Sequence, residues 1–213
     1  MDKKAMYNLT YGLFVLTAKE GDKDNGCIVN TVVQVTTEPN RITVAVNKSN
    51  YTHDMIIRTG EFNVSMLTEK STMETFKHWG FRSGRDTDKM EGLKGQGDDV
   101  EIEYRRSANG IVYITKGTNA FISAKVVNTI DLGTHTLFIA DVTDGEVLSD
   151  DNSVTYAYYQ KNIKPAPAPA PAAKKGYICT VCGYIYEGDV LPDDFICPIC
   201  KHPASDFKKL GED

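Results

Sequence analysis

Four cysteines near the C-terminus constrain the fold of this chain more than any other feature. Cys179 and Cys182 form one CxxC pair, Cys197 and Cys200 form a second, and 14 residues separate the two pairs. Two tight turns that each present two thiolates can bring four sulfurs into a tetrahedron, which both zinc and iron accept. The spacing therefore predicts a four-thiolate metal site and leaves the identity of the metal open. Disulfides are the less favoured alternative, because we expect a cytoplasmic chain.

A run of alternating proline and alanine divides the chain. Residues 164–175 read KPAPAPAPAAKK, and such a segment contributes neither to an apolar core nor to a sheet. Alternating proline favours the polyproline II conformation, which makes a semi-rigid spacer. The alternative, a proline-rich ligand for an aromatic groove, lacks a basic-flanked PxxP motif with specific side chains. The expected organisation is a domain at 1–163, a linker at 164–175 and a small domain at 176–213.

Residues 1–163 show the pattern of a mainly β domain. Runs of β-branched and aromatic residues alternate with turn signals, and we expect strands at 12–20, 28–37, 41–46, 61–67, 111–115, 120–130 and 136–147. Short helices are expected at 51–59, ended by Gly60, and at 72–79, behind a capping box of Ser71 and Glu74. Residues 81–97 lack periodicity and are expected to form an irregular loop. A mainly β chain with short helices is typical of a closed barrel.

Composition and charge exclude several functional classes. The net charge is -5 at pH 7, whereas nucleic-acid binding requires clustered lysine and arginine, so we expect no nucleic-acid partner. No apolar stretch is long enough to cross a membrane. Neither a P-loop nor a GxGxxG motif behind a strand is present, which argues against a Rossmann domain. We expect a cytoplasmic protein that does not bind membranes.

The C-terminal module resembles rubredoxin over its whole length. The likeness is carried by CTVCGYIY at 179–186, LPDDF at 191–195 and CPIC at 197–200. It implies one iron bound by the four cysteines and transfer of single electrons, whereas zinc would imply a structural ribbon. Aromatic residues around the site are expected to exclude water from it. They are Tyr177, Tyr184, Tyr186, Phe195 and Phe207.

The larger domain resembles the flavin reductase family over most of residues 5–160. The likeness is carried by NTVVQVTTEP at 30–39, AVNKSNYT at 45–52, FNV at 62–64, FRSGRD at 81–86 with Lys89, and HTLFIADV at 135–142. The resemblance implies an FMN-binding split β-barrel with short helices that forms a homodimer. The expected fold class is therefore mainly β, with a small rubredoxin-like four-cysteine module attached.

The segment before the first helix supplies groups suited to a phosphate. Residues 47–52 read NKSNYT, which places a cation, hydroxyls and free backbone amides at a helix start. We expect Lys48, Ser49 and Thr52 to bind the phosphate of FMN, with Asn47 beside them. The alternative is that Ser49 or Asn50 only caps the helix while Lys48 is solvated.

Two further segments are assigned to the flavin. Polar residues that interrupt the apolar run at 30–36 are expected to face the ring, with solvent-facing strand residues as the alternative. The residues assigned there are Asn30, Thr31, Val32, Gln34, Val35 and Thr36. By the family resemblance, the irregular loop contributes across a dimer interface. Its assigned residues are Arg82, Ser83, Gly84 and Lys89. His135 opens a long strand where similar reductases keep a histidine near flavin and nicotinamide, and it is our candidate catalytic residue.

The two modules together imply an electron-transfer enzyme. A nicotinamide delivers two electrons as hydride, a single iron accepts one, and a flavin exchanges with both. The combination resembles the high molecular weight rubredoxins. That resemblance implies NADH or NADPH as donor, FMN and one iron as cofactors, and a flavodiiron protein that reduces oxygen or nitric oxide as acceptor. The alternative is a flavin reductase that releases free reduced flavin, with the C-terminal module a structural zinc ribbon.

Overall fold

The computed structural model describes residues 5, 8–93, 95, 102–165 and 176–211. The chain divides into two compact units, Met1–Ile163 and Lys164–Asp213. Residues 166–175 of the expected linker lie outside the described residues, as do residues 94, 96 and 97 of the expected loop.

The described part of the first unit is built on an antiparallel sheet, which confirms the mainly β fold with short helices. Its strands are β1 Phe14–Glu20, β2 Lys23–Val29, β3 Val33–Thr37, β4 Asn40–Asn47, β5 Glu61–Leu67, β6 Tyr104–Arg106, β7 Val112–Ile114, β8 Thr118–Asp131 and β9 His135–Val147. The order in the sheet is β2-β1-β5-β8-β9-β4-β3, and β6 pairs with β7. The helices are α1 Tyr51–Thr59, α2 Met73–Gly80 and α3 Tyr156–Tyr158, which runs into a π-helical turn at Tyr159–Ile163.

The sheet curves around an apolar core. On β4 every second side chain is buried, so that Ile42 and Val44 face inward while their neighbours face away. These side chains share one apolar cluster with Cys27 and Val29 of β2, although β2 and β4 lie near opposite ends of the strand order. A sheet whose two ends share a core has the curvature of a barrel. Helix α1 adds Met55 to this cluster.

A second apolar cluster holds α2 against the outer face of β1. Val15 and Leu16 are adjacent yet both are fully buried, because β1 is covered on both faces. Leu16 belongs to the barrel core, whereas Val15 packs with Phe76 and Trp79 of α2. Complete burial of one large apolar side chain stabilises a fold by roughly 1.5–3 kcal/mol, so this contact fixes the helix.

The two helices begin differently. Helix α1 starts at the predicted residue and ends at Gly60 with φ 72°. Asn50 caps it, as the alternative interpretation of this segment expects, because the Asn50 side chain accepts a hydrogen bond from the Thr52 amide. Helix α2 has Thr72 as its N-cap, so the predicted capping box is wrong. Ser71 lies one residue too early for that role, and its hydroxyl donates instead to the Gly117 carbonyl at 2.7 Å.

The expected strand at 28–37 is two strands. Strand β2 begins at Lys23, five residues before the predicted start at residue 28, and the hairpin turns at Gly21 with φ 58°. The polar side chains of β2 are satisfied by distant residues, which a local pattern does not reveal. Asp24 forms a bidentate ion pair with Arg106 at 2.7 and 3.0 Å, and Asn25 donates to the Thr52 hydroxyl at 2.9 Å.

The described part of the second unit is a small sheet with an aromatic cluster. Its strands are β10 Tyr177–Cys179, β11 Ile185–Tyr186 and β12 Phe207–Lys209, in the order β11-β10-β12. Phe195 lies at the centre of the expected aromatic shell. Its ring centroid is 4.8 Å from that of Tyr186, 5.4 Å from Phe207 and 6.4 Å from Tyr184. None of the described helices of either unit has the length and apolarity needed to span a membrane.

Candidate functional site

The two CxxC pairs lie on two similar turns. In the first, the Gly183 amide donates to the Cys179 carbonyl at 2.9 Å, and in the second the Lys201 amide donates to the Cys197 carbonyl at 2.9 Å. Gly183 and Lys201 both have left-handed backbones, with φ 80° and φ 60°. Each turn therefore directs both of its sulfurs to one side.

The four sulfurs are close enough to bind one ion. All four Sγ atoms lie within 4.8 Å of one another. Sγ of Cys179 is 3.5 Å from that of Cys200, and Sγ of Cys182 is 3.5 Å from that of Cys197. None of the four forms a disulfide. A tetrahedron with metal–sulfur bonds of about 2.3 Å has sulfur–sulfur edges of about 3.8 Å, so the arrangement fits a bound metal.

The electrostatics of the four thiols also favour a cation. Burial raises the pKa of Cys182 to about 11 and raises the pKa of Cys200 still further. Burial opposes ionisation of Cys197 as well, but the amides of Cys200 and Ile199 donate to its sulfur and bring its pKa below the usual value. Four thiolates at these distances repel one another. A positive ion among them is what allows all four to be ionised together.

The predicted phosphate-binding residues lie beside the candidate catalytic histidine. Asn47 is the register partner of His135, where the end of β4 meets the start of β9. The Asn47 side chain accepts from the Ser49 amide at 2.9 Å, and the Lys48 amide donates to the Thr134 carbonyl at 3.0 Å. The structure therefore brings Asn47, Lys48, Ser49 and His135 together at one end of the barrel.

The irregular loop contacts the same end of the barrel through Asn25. A β-carbon on Gly84 would lie 2.1 Å from the Asn25 Oδ1, so the loop backbone rests directly on this side chain. The Lys23 ammonium donates to the Gly84 carbonyl at 3.1 Å. Ser83 and Arg82 precede Gly84, and Arg82 is exposed. The loop thus lies over the start of α1.

Lys89 and Thr52, two of the predicted cofactor contacts, are buried and bind other protein groups. Lys89 is 3% exposed, and its ammonium donates to the carbonyls of Gly26 at 2.7 Å and Trp79 at 2.8 Å. Burial lowers the pKa of Lys89 to about 8. Thr52 is fully buried and its hydroxyl accepts from Asn25. Both side chains therefore brace the loop and α1 from the interior.

The assigned residues of β3 lie apart from this end of the barrel. Gln34 pairs in register with Ile42, five residues before Asn47 on β4, which is about 17 Å along a strand. Residues 33–37, including Val35 and Thr36, are all exposed. Gln34 donates to Asn40 at 3.0 Å, and Thr36 to the Pro39 carbonyl at 2.6 Å.

The residues just before β3 have a different environment. The Thr31 hydroxyl donates to the Ala45 carbonyl at 2.8 Å and accepts from the Ala45 amide at 3.1 Å, so it continues the sheet pairing at the side of β4. Val32 packs against the barrel core, and Asn30 is half-buried. These three residues therefore lie nearer to Asn47 than residues 33–36 do.

Comparison with known proteins reveals the same two parts. Residues 6–167 match the family described as flavin reductase like domain, and residues 177–208 match the rubrerythrin, rubredoxin-like domain. The chain is 36% identical to the high molecular weight rubredoxin of Moorella thermoacetica, over 99% of this chain and 100% of that protein. The chain belongs to the flavin reductase family. Its full-length match places this flavin reductase family member with the high molecular weight rubredoxins, which confirms the resemblance.

Further relatives agree with this assignment. The flavin reductase family member is 38% identical to the ferric-chelate reductase (NAD(P)H) of Archaeoglobus fulgidus, over 75% of this chain and 89% of that protein. Its fold is similar to that of the NADH:FAD oxidoreductase of Streptomyces globisporus solved with NAD and FAD fragments, with a TM-score of 0.62 and 16% identity over 79% of this chain and 93% of that one. The latter likeness shows the fold alone. This flavin reductase family member is an oxidoreductase with a flavin-binding domain and a rubredoxin-like domain.

The sequence did not reveal a series of side-chain hydrogen bonds that links the irregular loop to β9. Nε2 of His53 lies 2.8 Å from the Thr136 hydroxyl, and its Nδ1 lies 2.9 Å from the Asp54 carboxylate. Asp54 also accepts from Arg85 at 2.6 Å. Although burial opposes ionisation of Asp54, the hydrogen bonds from His53 and Arg85 lower its pKa. These residues pair across up to 83 positions, so no local pattern signals them.

Proposed function

We propose that this protein takes electrons from NADH or NADPH into FMN, passes them to a one-iron site, and delivers them to an acceptor such as a flavodiiron protein that reduces oxygen or nitric oxide. One observation carries the proposal: a flavin reductase-like barrel and four convergent sulfurs occur in the same chain. When bound, FMN supplies the exchange between hydride and single electrons, and iron supplies a one-electron acceptor. The relative named ferric-chelate reductase (NAD(P)H) supports a nicotinamide donor.

The end of the barrel that holds Lys48 is where we place the FMN phosphate. Lys48 forms an ion pair of 2.7 Å with Asp131, but both side chains are substantially exposed, so the pair contributes little and can be exchanged for a phosphate. The backbone amides at the start of α1, together with Ser49, add donors that favour an anion. The Lys23 ammonium donates to the Gly84 carbonyl and Asn25 lies against Gly84, so both residues hold the loop that carries Arg82 at this end of the barrel.

His135 is the residue we assign to the nicotinamide and flavin ring. Its Nδ1 lies 2.9 Å from the Thr134 hydroxyl, which orients the imidazole ring. Its backbone is fixed by pairing with Asn47 and by the Leu132 amide, which donates to the His135 carbonyl at 2.9 Å. Because the backbone of His135 is fixed and its ring has a hydrogen-bond partner, the ring can position a substrate without reorganisation.

We place the homodimer interface on the face of the sheet that points away from the core. Val33 of β3 pairs with Thr43, which pairs with Ile139 of β9, and Ile130 of β8 pairs with Leu137. Cross-strand partners share a face, so these side chains lie on one surface, which is mainly apolar with Thr43 within it. Val33 is 57% exposed and Ile130 is 44% exposed. Exposed apolar surface of this kind marks an interaction site.

Cofactor analysis of the isolated protein tests the proposal. We expect about one iron and one FMN per chain, because four sulfurs bind one ion and each barrel binds one flavin. Iron and zinc are measured by elemental analysis, and the released flavin is separated from FAD by chromatography. Zinc without iron, together with flavin that is lost on purification, would contradict the proposal and favour a reductase that releases free reduced flavin.

A further inference from the structure

Lys201 has an unusual backbone conformation for its residue type. Among the described residues it is the one non-glycine residue with a positive φ, at 60°. The equivalent position in the first turn is Gly183, with φ 80°. A left-handed backbone brings the β-carbon of an ordinary residue close to its own carbonyl, so glycine is the favoured residue at such a position. Lys201 therefore adopts a backbone conformation that is unfavourable for its residue type.

The turn holds this lysine directly beside the metal ligands. Lys201 follows Cys200, and its amide donates to the carbonyl of Cys197 at 2.9 Å. Two of the four ligand residues thus fix its backbone. Consecutive Cα atoms are about 3.8 Å apart, so the lysine side chain starts within one residue of a metal ligand.

No described carboxylate neutralises the Lys201 charge. Its side chain is exposed, and none of the ion pairs among the described residues includes it. The same unit carries acidic residues elsewhere, including Glu187 and Asp194. The cation nearest in sequence to the thiolates therefore has no ion-pair partner among the described residues.

We propose that Lys201 raises the reduction potential of the iron site and so favours its reduction by the flavin. The inference rests on the proposed iron site. In that step reduced flavin gives up one electron and ferric iron gains it, with no bond made or broken at the sulfurs. The reduced site carries one more negative charge, and a nearby cation stabilises that state more than the oxidised one. Because Lys201 is exposed, salt weakens the effect, with a screening length of about 8–10 Å at physiological ionic strength.

Redox titration of the full chain, followed by visible absorbance at low and high salt, tests this role. Lys201→Asn removes the charge, and asparagine tolerates a left-handed backbone, so the turn is kept. Lys201→Arg is the matched variant that keeps the charge. We expect Lys201→Asn to lower the iron midpoint potential at low salt, with a smaller shift at high salt. We expect Lys201→Arg to stay near the wild-type potential and the flavin potential to stay unchanged in both.

Two results would overturn the inference while the proposed function stands. One is an iron-loaded Lys201→Asn protein with the wild-type potential at low salt, and the other is an equal, salt-independent shift in Lys201→Arg. A wild-type protein without the visible bands of ferric thiolate contradicts the proposed function before any titration, and removes the centre on which Lys201 would act.

Discussion

At the scale of single residues, a substitution of Cys182 distinguishes the proposed iron site from the proposed flavin site. Cys182→Ser removes one of the four sulfurs, and a hydroxyl is a poor replacement for a soft thiolate ligand. We expect loss of the ferric thiolate absorbance, with flavin reduction by NADH retained within about twofold, because the proposed flavin-binding residues lie in a separate compact unit. Visible spectra and anaerobic NADH reduction measure the two effects. A variant that keeps full iron absorbance would show that Cys182 is not a ligand.

We expect Lys89 to make the stability of the first unit depend on pH. Burial lowers its pKa from 10.5 to about 8, so between these values the unfolded chain binds more protons than the folded chain. The free energy of unfolding therefore gains, from this group, on the order of 1 kcal/mol per pH unit as the pH rises from about 8 towards 10. Below pH 8 the lysine is charged in both states and contributes no slope.

Chemical denaturation of Lys89→Met measures this contribution. The variant leaves the carbonyls of Gly26 and Trp79 without their donor, so we expect it to be less stable at every pH. The stability gap to the wild type should widen between pH 8 and pH 10. A gap that is constant over this range would show that the pKa of Lys89 is not lowered.

At the scale of elements, the contact between Gly84 and Asn25 fixes the loop. Gly84→Ala would place a methyl group 2.1 Å from the Asn25 Oδ1, so the loop has to move. We expect a loss of about 1–3 kcal/mol in the free energy of unfolding and weaker FMN binding. Denaturation and flavin fluorescence titration measure these effects. Adding Asn25→Ala removes the clash, so the double variant should be less affected than the sum of the single ones. Additive losses would contradict the contact.

The same scale shows which elements a sequence predicts. Helix α1 and strand β5 have the predicted bounds, because their caps and apolar alternation are local signals. The start of β2 was misread, since Asp24 and Asn25 are satisfied by Arg106 and Thr52 rather than by a turn. The capping box failed for the same reason, because Ser71 has a distant partner.

The candidate site residues also differ in whether a local sequence pattern reveals them. The four cysteines are recognised from spacing alone, since each pair lies within one turn and the turns need only meet. Lys89 and Thr52 carry the right chemistry in the sequence, but only the structure shows that they point into the interior. His53 and Asp54 are joined to β9 and to the loop by side-chain contacts that have no sequence signature.

At the scale of the whole molecule, a substitution on the apolar sheet face tests the proposed homodimer. Val33→Glu places a charge on that face, and burial of an unpaired charge is costly, so we expect the dimer to dissociate. Val147→Glu is the matched control, because Val147 is 73% exposed and lies at the far end of β9. Size-exclusion chromatography with light scattering measures the mass of both. A wild-type monomer, or a Val33→Glu dimer of unchanged stability, would contradict the interface.

The proposed function requires electrons to pass from the flavin to the iron within this protein. Anaerobic titration of the full chain with NADH, followed by visible absorbance, measures both centres at once. We predict that NADH bleaches both the flavin band and the ferric thiolate band of the wild type. In Cys182→Ser only the flavin band should bleach, and the titration should consume less NADH per chain than in the wild type. An intact protein whose flavin is reduced while its iron stays oxidised would contradict the account.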